Sequence, residues 1–246
     1  MSMDREQPQE VAHPADDGGL SPSLSIIIPT LNEEKLIERT LLAVKERAPD
    51  AEVLVVDGGS SDATVALASK HARVISAKCG RGGQLNAGVQ ATTGDLLLFL
   101  HADTIPDAEG IAELIEVMQD EHVLGGAFRM RFDNPRPLYK RVSENVAKRS
   151  LRTKSYTGDQ GIFTRRSAFE QLGGHRDWPF MEDVDYSERM GKAGQVVLLK
   201  HEVETSARRH EHWGLLRTQL TVVVIRILYL LRVHPARYEW LWPEVR

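Results

Sequence analysis

The stretch Leu24-Ser25-Ile26-Ile27-Ile28-Pro29-Thr30-Leu31-Asn32-Glu33 decides the fold class. Its opening is a short apolar run, predicted as a strand that Pro29 ends, because proline cannot donate to a ladder. Asn32 then caps a helix in which Ile37, Leu41 and Val44 recur at i, i+4 and i+7.

The same alternation continues outward. Val53 to Val56 is a second strand, closed by Asp57-Gly58-Gly59-Ser60, with Asp62 as cap of a helix through Lys70. Val74-Ile75 is a third strand. Gly80-Arg81-Gly82-Gly83 opens a helix to about Ala91, Leu96 to Leu100 is a fourth strand, and Ile111, Leu114, Ile115 and Met118 mark an amphipathic helix. The second half is less regular. It reads as a strand over Gly125 to Phe132, a helix over Pro137 to Ser150, a short strand over Gly161 to Thr164, a helix over Met181 to Lys192 and a strand over Val196 to Leu199. Continuous apolar strands alternating with helices imply an α/β fold whose mostly parallel central sheet is flanked by helices on both faces. No repeat is visible at periods of 20–50 residues, so 24–205 is read as one domain and 206–246 as a C-terminal helical extension.

Composition agrees. The 246 residues are 41% hydrophobic and 27% charged with 6% aromatics, which excludes collagenous and low-complexity classes. A single cysteine, Cys79, leaves no intramolecular disulfide or multi-thiolate metal site, and a cytoplasmic location is expected. The net charge of −4 sits in residues 1–23, where Asp4, Glu6, Glu10, Asp16 and Asp17 oppose Arg5. That segment is expected to be a disordered acidic tail, neither signal peptide nor anchor. The remainder is neutral, with Arg208, Arg209, Arg217, Arg226, Arg232 and Arg237 facing only Glu211 between 208 and 237. Nucleic acid is therefore not expected as a partner, and a phosphate site is expected near that end.

In such sheets ligands bind beyond the strand C-termini. Asp57 there can hydrogen-bond a base or ribose, or shape an Asp-Gly-Gly-Ser turn. Asp103 can hold Mg²⁺ or Mn²⁺ on a diphosphate, or serve as a loop acid before Pro106. Gly80-Arg81-Gly82-Gly83 offers N–H groups and a guanidinium to phosphate, although Leu85 breaks GxGxxG and no Walker motif is present. Glu182-Asp183 follows Trp178-Pro179-Phe180-Met181. That approach can desolvate a general base, while helix N-terminal acids favouring the macrodipole are the plainer reading. His210-Glu211-His212 reads as solvated, since i and i+2 do not share a helix face. Zinc is not expected at Glu182, Asp183 and Asp185.

Taken together, Ser25 to Glu34, Val55-Val56-Asp57-Gly58-Gly59-Ser60-Ser61-Asp62, Arg81-Gly82-Gly83-Gln84-Leu85-Asn86-Ala87-Gly88 and Phe99-Leu100-His101-Ala102-Asp103-Thr104 resemble the family 2 glycosyltransferases of GT-A fold. Gly158-Asp159-Gln160-Gly161, Phe163-Thr164-Arg165-Arg166 and Met181-Glu182-Asp183-Val184-Asp185 extend the resemblance to about Leu24 through Arg237. Within the family it is similar to a small, soluble bacterial subgroup ending in Ser-Ala-Arg-Arg.

The resemblance implies transfer of a sugar from a nucleotide diphosphate donor to an acceptor hydroxyl with inversion. It makes 24–104 the nucleotide-binding half and 105–205 the acceptor half. By carry-over, Pro29, Thr30, Asn32, Glu33, Asp57, Gly59, Arg81, Gln84, Asn86, Ala102 and Asp103 would bind the nucleotide sugar. Asp159, Gln160, Arg208 and Arg209 are phosphate or acceptor candidates. Asp103 would bind a divalent cation, Mg²⁺ or Mn²⁺, and Asp183, beside Glu182, would deprotonate the acceptor. One departure is His101, where the family's Asp-x-Asp element has its first acid; His210 is then a candidate later ligand. The competing readings are a nucleotidyltransferase, for which no glycine-rich lysine-bearing loop follows the first strand, a dehydrogenase, which lacks GxGxxG, and a non-catalytic nucleotide-sugar or membrane-surface binding module.

Leu220 to Leu231 is the most apolar stretch. As a helix it is about 18 Å long at ~1.5 Å per residue, short of the ~30 Å hydrocarbon core, and Arg226 interrupts it. It is expected either to pack into the domain or a homodimer, or to lie at a membrane's inner face and bring the enzyme to a lipid-linked acceptor.

Overall fold

The computed structural model describes residues 22–78 and 80–243. The expected acidic tail lies outside the described residues as far as residue 21, as does Cys79. Ser23, assigned to that tail, is pinned to the fold: its N–H and hydroxyl donate to Asp95 Oδ2 and its Oγ accepts from Asp95 N.

The described elements run β1 (Leu24–Thr30), α1 (Ile37–Arg47), β2 (Glu52–Asp57), α2 (Thr64–Ala68), β3 (Arg73–Ser76), α3 (Arg81–Gln90), β4 (Leu96–Phe99), β5 (Thr104–Pro106), α4 (Ala108–Val117) and β6 (Val123–Phe132). They continue with α5 (Pro137–Thr153), β7 (Ile162–Arg165), α6 (Arg166–Gln171), α7 (Glu182–Ala193), β8 (Gln195–Thr205), α8 (Arg208–Trp213) and α9 (Leu215–Leu230). The described strands form one sheet in the order β3-β2-β1-β4-β7-β6-β8-β5. The front half, β3-β2-β1-β4, is wholly parallel, and β6 also runs parallel to β8. β7 pairs antiparallel with both β4 and β6, and β5 antiparallel with β8.

Burial on both faces explains why the strand sequences are continuously apolar. Ile26, Ile28, Leu98 and Leu100 pack with Ile37, Leu41 and Val44 of α1 and Ile111 and Leu114 of α4. Ile27, Leu54, Val56, Leu97 and Phe99 pack on the other face with Leu85 and Val89 of α3 and Tyr186 and Met190 of α7. α3 approaches the sheet so closely that a Cβ on Gly88 would lie 2.4 Å from Ile27 Cγ2.

Two local expectations are corrected. Pro29 does not end β1, which continues to Thr30. Ile27 O accepts from Leu100 N and Thr30 O from Gly58 N, so alternate residues face β4 and β2. Pro29 faces the β4 side, beyond the last ladder pair Ile27↔Phe99, where no N–H is required. Asn32 does not cap α1, whose N-cap is Leu36. With φ of 54° it bridges two loops instead: its N–H donates to Ser60 Oγ and its Oδ1 accepts from Ser61 N. β5 had no apolar run to announce it, and β8 extends six residues past Leu199 to Thr205.

Candidate active site

Leaving β4, the chain turns through Leu100-His101-Ala102-Asp103 into β5. That turn is fixed from below, since Thr40 Oγ1 of α1 donates to Ala102 O at 2.7 Å and Thr104 Oγ1 meets Thr205 Oγ1 at 3.2 Å. Asp103 is thereby held at the floor of a cavity of about 300 Å³ beyond the C-terminal ends of β1 and β4. Met130 and Phe132 of β6, the turn Thr157-Gly158-Asp159, Met181 and Asp183 at the head of α7, and Gln219, Val222, Ile225 and Arg226 of α9 form its walls.

Of the carried-over residues, Pro29, Glu33, Arg81, Ala102, Asp103, Asp159, Asp183, Arg208, Arg209 and His210 meet at this cavity. Arg208 clasps it: its Nη1 and Nη2 donate to Glu33 Oε2 and Oε1 at 2.7 and 2.6 Å, and Nη2 lies 3.3 Å from Asp103 Oδ2. Arg209 stacks over Trp242 and Trp213 at 4.2 and 5.2 Å and donates to Pro243 O. Asp183 is placed by backbone alone, its Oδ2 accepting from Gly158 N at 2.6 Å and its Oδ1 from Val184 N at 2.7 Å. Met181, two residues before it, has φ of 66°, a conformation uncommon for a side chain of its size, and it turns the chain sharply into α7.

Others hold the rim rather than face the cavity. Both carboxylate oxygens of Asp57 are engaged, accepting from Gly59 N, Ser60 N, Ser60 Oγ and Thr30 Oγ1, which is the Asp-Gly-Gly-Ser turn. Gly59 sits in that turn with φ of 99°. Gln84 is buried beneath Gly58 and its Nε2 donates to Thr30 O and Val56 O, tying β1 to β2. Asn86 exchanges two hydrogen bonds with the backbone of His175. Gln160 is buried, accepting from Ser150 Oγ and Thr157 N and donating to Phe128 O.

The solvated reading of His210 is corrected. Its ring lies against Phe132 and Tyr139, and burial, with the Arg209 charge, pushes its pKa down to about 4. It projects across to β6 and the start of α5, while His212 stays exposed.

Enclosure sets the charge states. Desolvation raises Asp103 above the usual carboxylate range, with the Arg208 guanidinium opposing and Glu33 adding to the effect. It raises Asp159 too, against hydrogen bonding from Thr157 and the charge of Arg149. It holds His101 neutral, well below its ordinary value, and the charges of Arg81, Arg208 and Arg209 act in the same direction. Glu182 is fully buried and is not among the residues lining the cavity. Neither of its oxygens has a hydrogen-bond partner, Arg81 Nη1 is 3.8 Å away, and burial lifts its pKa to about 7.

Arg149, within α5, carried no sequence signal, whereas Arg226 belongs to the C-terminal arginine group; only folding brings α5 and α9 to one cavity. His101 Nε2 would be 2.3 Å from a Cβ on Gly158, so the ring that replaces the expected acid occupies the space that this glycine leaves.

No group of three or more His, Cys, Asp or Glu able to hold a metal converges among the described residues. Asp103 supplies one hard carboxylate oxygen in a site open to a phosphate-bearing ligand. That donor set fits Mg²⁺ or Mn²⁺ completed by substrate phosphates and water, and does not fit a cation held by protein alone.

Residues 25–173 match the family model described as glycosyl transferase family 2. The chain is 30% identical over 212 residues to the O-antigen chain rhamnosyltransferase RfbN of Salmonella typhimurium, covering 77% of this chain and 66% of that one. It is 30% identical over 159 residues to the undecaprenyl-phosphate 4-deoxy-4-formamido-L-arabinose transferase of Pectobacterium carotovorum, covering 58% and 48%. The chain thus spans about half to two thirds of the length of these curated relatives. In structure it is similar to the mannosyltransferase PcManGT of Pyrobaculum calidifontis in complex with GDP-Man and Mn²⁺, with a TM-score of 0.70 at 20% identity over 92% of this chain and 68% of that one. It is also similar to S. aureus TarS in complex with UDP-GlcNAc, with a TM-score of 0.61 at 18% identity over 75% and 58%. At such identities the structural likeness is one of fold. With the family model covering more than half of the sequence, this chain belongs to glycosyl transferase family 2 and has the GT-A fold.

Proposed function

We propose that this chain transfers a sugar from a nucleoside diphosphate donor to an acceptor hydroxyl with inversion. The observation that carries the reading is the meeting, in one cavity, of a backbone-anchored carboxylate, Asp183, with a floor carboxylate, Asp103, and the guanidinium groups of Arg81 and Arg208. A carboxylate oxygen that accepts one N–H keeps a further lone pair for an acceptor hydroxyl. Asp183 takes that proton while the hydroxyl oxygen bonds to the anomeric carbon and the bond to the diphosphate breaks. Negative charge then grows on the diphosphate, where Arg81 and Arg208 are placed to offset it.

Asp103 would hold a divalent cation, which when bound supplies further positive charge against the leaving group. Complexes of fold relatives with GDP-Man and Mn²⁺ or UDP-GlcNAc support the donor class. The undecaprenyl-phosphate transferase among the relatives supports an acceptor that carries a lipid. No described helix is long and apolar enough to cross a membrane.

The test is calorimetric binding of UDP-, GDP- and dTDP-sugars with and without Mn²⁺ or Mg²⁺, on wild type and Asp103→Ala. Metal-dependent affinity for one donor, lost in the variant, is the expected result. Failure to bind any donor under any metal condition would overturn the reading.

A further inference from the structure

α9 presents two faces with different surroundings. Gln219, Val222, Ile225 and Arg226 look into the cavity. Leu216, Leu220, Val223, Val224, Ile227 and Leu230 are exposed. At 3.6 residues per turn these six fall within one arc of about 120°. Leu231, 69% exposed, extends the patch just past the helix. Scattered exposed leucines are ordinary, but a contiguous stripe running the length of a helix of about 24 Å marks an interaction surface.

Charge selects the occupant. From residue 212 to 238 the sequence holds no Asp or Glu. Arg217 lies at one end of the stripe and Arg232 just past the other, both exposed. A second copy laid antiparallel on this face would oppose Arg217 to Arg232, with no acid on the helix itself to relieve them. A bilayer with anionic headgroups satisfies the apolar stripe and both charged ends together.

We propose that the exposed face of α9 is a docking surface for an anionic lipid bilayer, with the helix lying in the interfacial plane and Arg217 and Arg232 among the headgroups. Because the same helix walls the cavity, docking brings the cavity to headgroup level. Resting on the glycosyl-transfer reading, this makes the acceptor class a hydroxyl carried on a membrane lipid.

The experiment is flotation of the full chain with vesicles of phosphatidylcholine alone and of phosphatidylcholine mixed with phosphatidylglycerol. The comparison is Leu220→Glu/Ile227→Glu, two exposed positions outside the cavity wall. Wild type is expected to float with the anionic vesicles, more weakly with the neutral ones, and less in high salt. The double variant should lose on the order of tenfold in partitioning. Its unchanged circular dichroism and donor affinity would show that the fold survives. Equal flotation of both proteins, or none by either, overturns the proposal. So does a wild-type dimer that the double variant converts to monomers, which would make the stripe a self-interface. Donor binding is measured separately, so loss of the glycosyl-transfer reading would leave the flotation result standing, and the reverse.

Discussion

Asp183 and Glu182 are adjacent in sequence and opposite in circumstance. Asp183 faces the cavity with both oxygens held by N–H donors, whereas Glu182 is buried with neither oxygen hydrogen-bonded. On the proposed reading, Asp183→Asn lowers turnover by about 10²–10⁴-fold and leaves donor affinity near wild type. Single-turnover kinetics beside calorimetry checks this, and unchanged turnover would instead favour a binding module.

Glu182 gives a stability prediction independent of catalysis. Its proton is held to about pH 7 in the fold against an ordinary value of 4.5, so the native state binds the extra proton between them. Stability from this group therefore falls as pH rises through that window. Nearby His175, pushed down by burial to about 4 from 6.5, contributes the opposite slope: the unfolded chain binds the extra proton, and stability rises with pH. The two offset each other where the windows overlap. In Glu182→Gln the falling slope is removed, so the variant's stability relative to wild type should climb from about pH 4.5 to 7 in urea unfolding. A difference that does not change with pH would mean that Glu182 is already ionised in the fold.

Among the elements, the single turn Thr157–Gln160 organises the most chemistry in the least chain. Gly158 gives its N–H to Asp183, leaves room for His101, and is followed by half-buried Asp159. Gly158→Ala places a methyl group 2.3 Å from the imidazole, so either the ring or the turn must move. We expect a stability loss of roughly 1–3 kcal/mol, as for other overpacked sites, together with a turnover defect from a displaced Asp183. Gly158→Ala/His101→Ala should recover stability, because the smaller side chain vacates the contact, and unfolding curves of the pair measure it.

Across the whole molecule, Arg208 joins the two ends of the described chain, bonding α8 to Glu33, 175 residues earlier, and touching Asp103 between them. Two forked hydrogen bonds to a largely buried carboxylate are of the stronger kind. Arg208→Gln leaves Glu33 and Asp103 without that cation, which should cost about 1–3 kcal/mol of stability at neutral pH. The loss should shrink as pH falls and the carboxyl groups protonate. Urea denaturation across pH tests it, and a loss independent of pH would locate the effect in packing rather than charge.

The sequence by itself determined the strand-helix order of the front half. Runs such as Ile26-Ile27-Ile28 and Leu96-Leu97-Leu98 can be buried on both sides only in a sheet covered on two faces, and the rim acids that follow them are local in sequence. It also marked Asp103, Asp183 and Arg208, because each sits in a short motif. What only the tertiary structure decided depends on contacts between distant segments. The three-residue strand β5 exists because β8 pairs with it, Asn32 is drawn from capping α1 to bridging Ser60 and Ser61, and Pro29 is tolerated in β1 because its side of the ladder has already ended. Tertiary packing likewise turned Gln84, Asn86 and Gln160 into ties beneath the rim and brought Arg149 and Arg226 to the cavity. Hydrophobic periodicity reports which face of an element is buried; the partner across the interface is fixed only when the chain closes on itself.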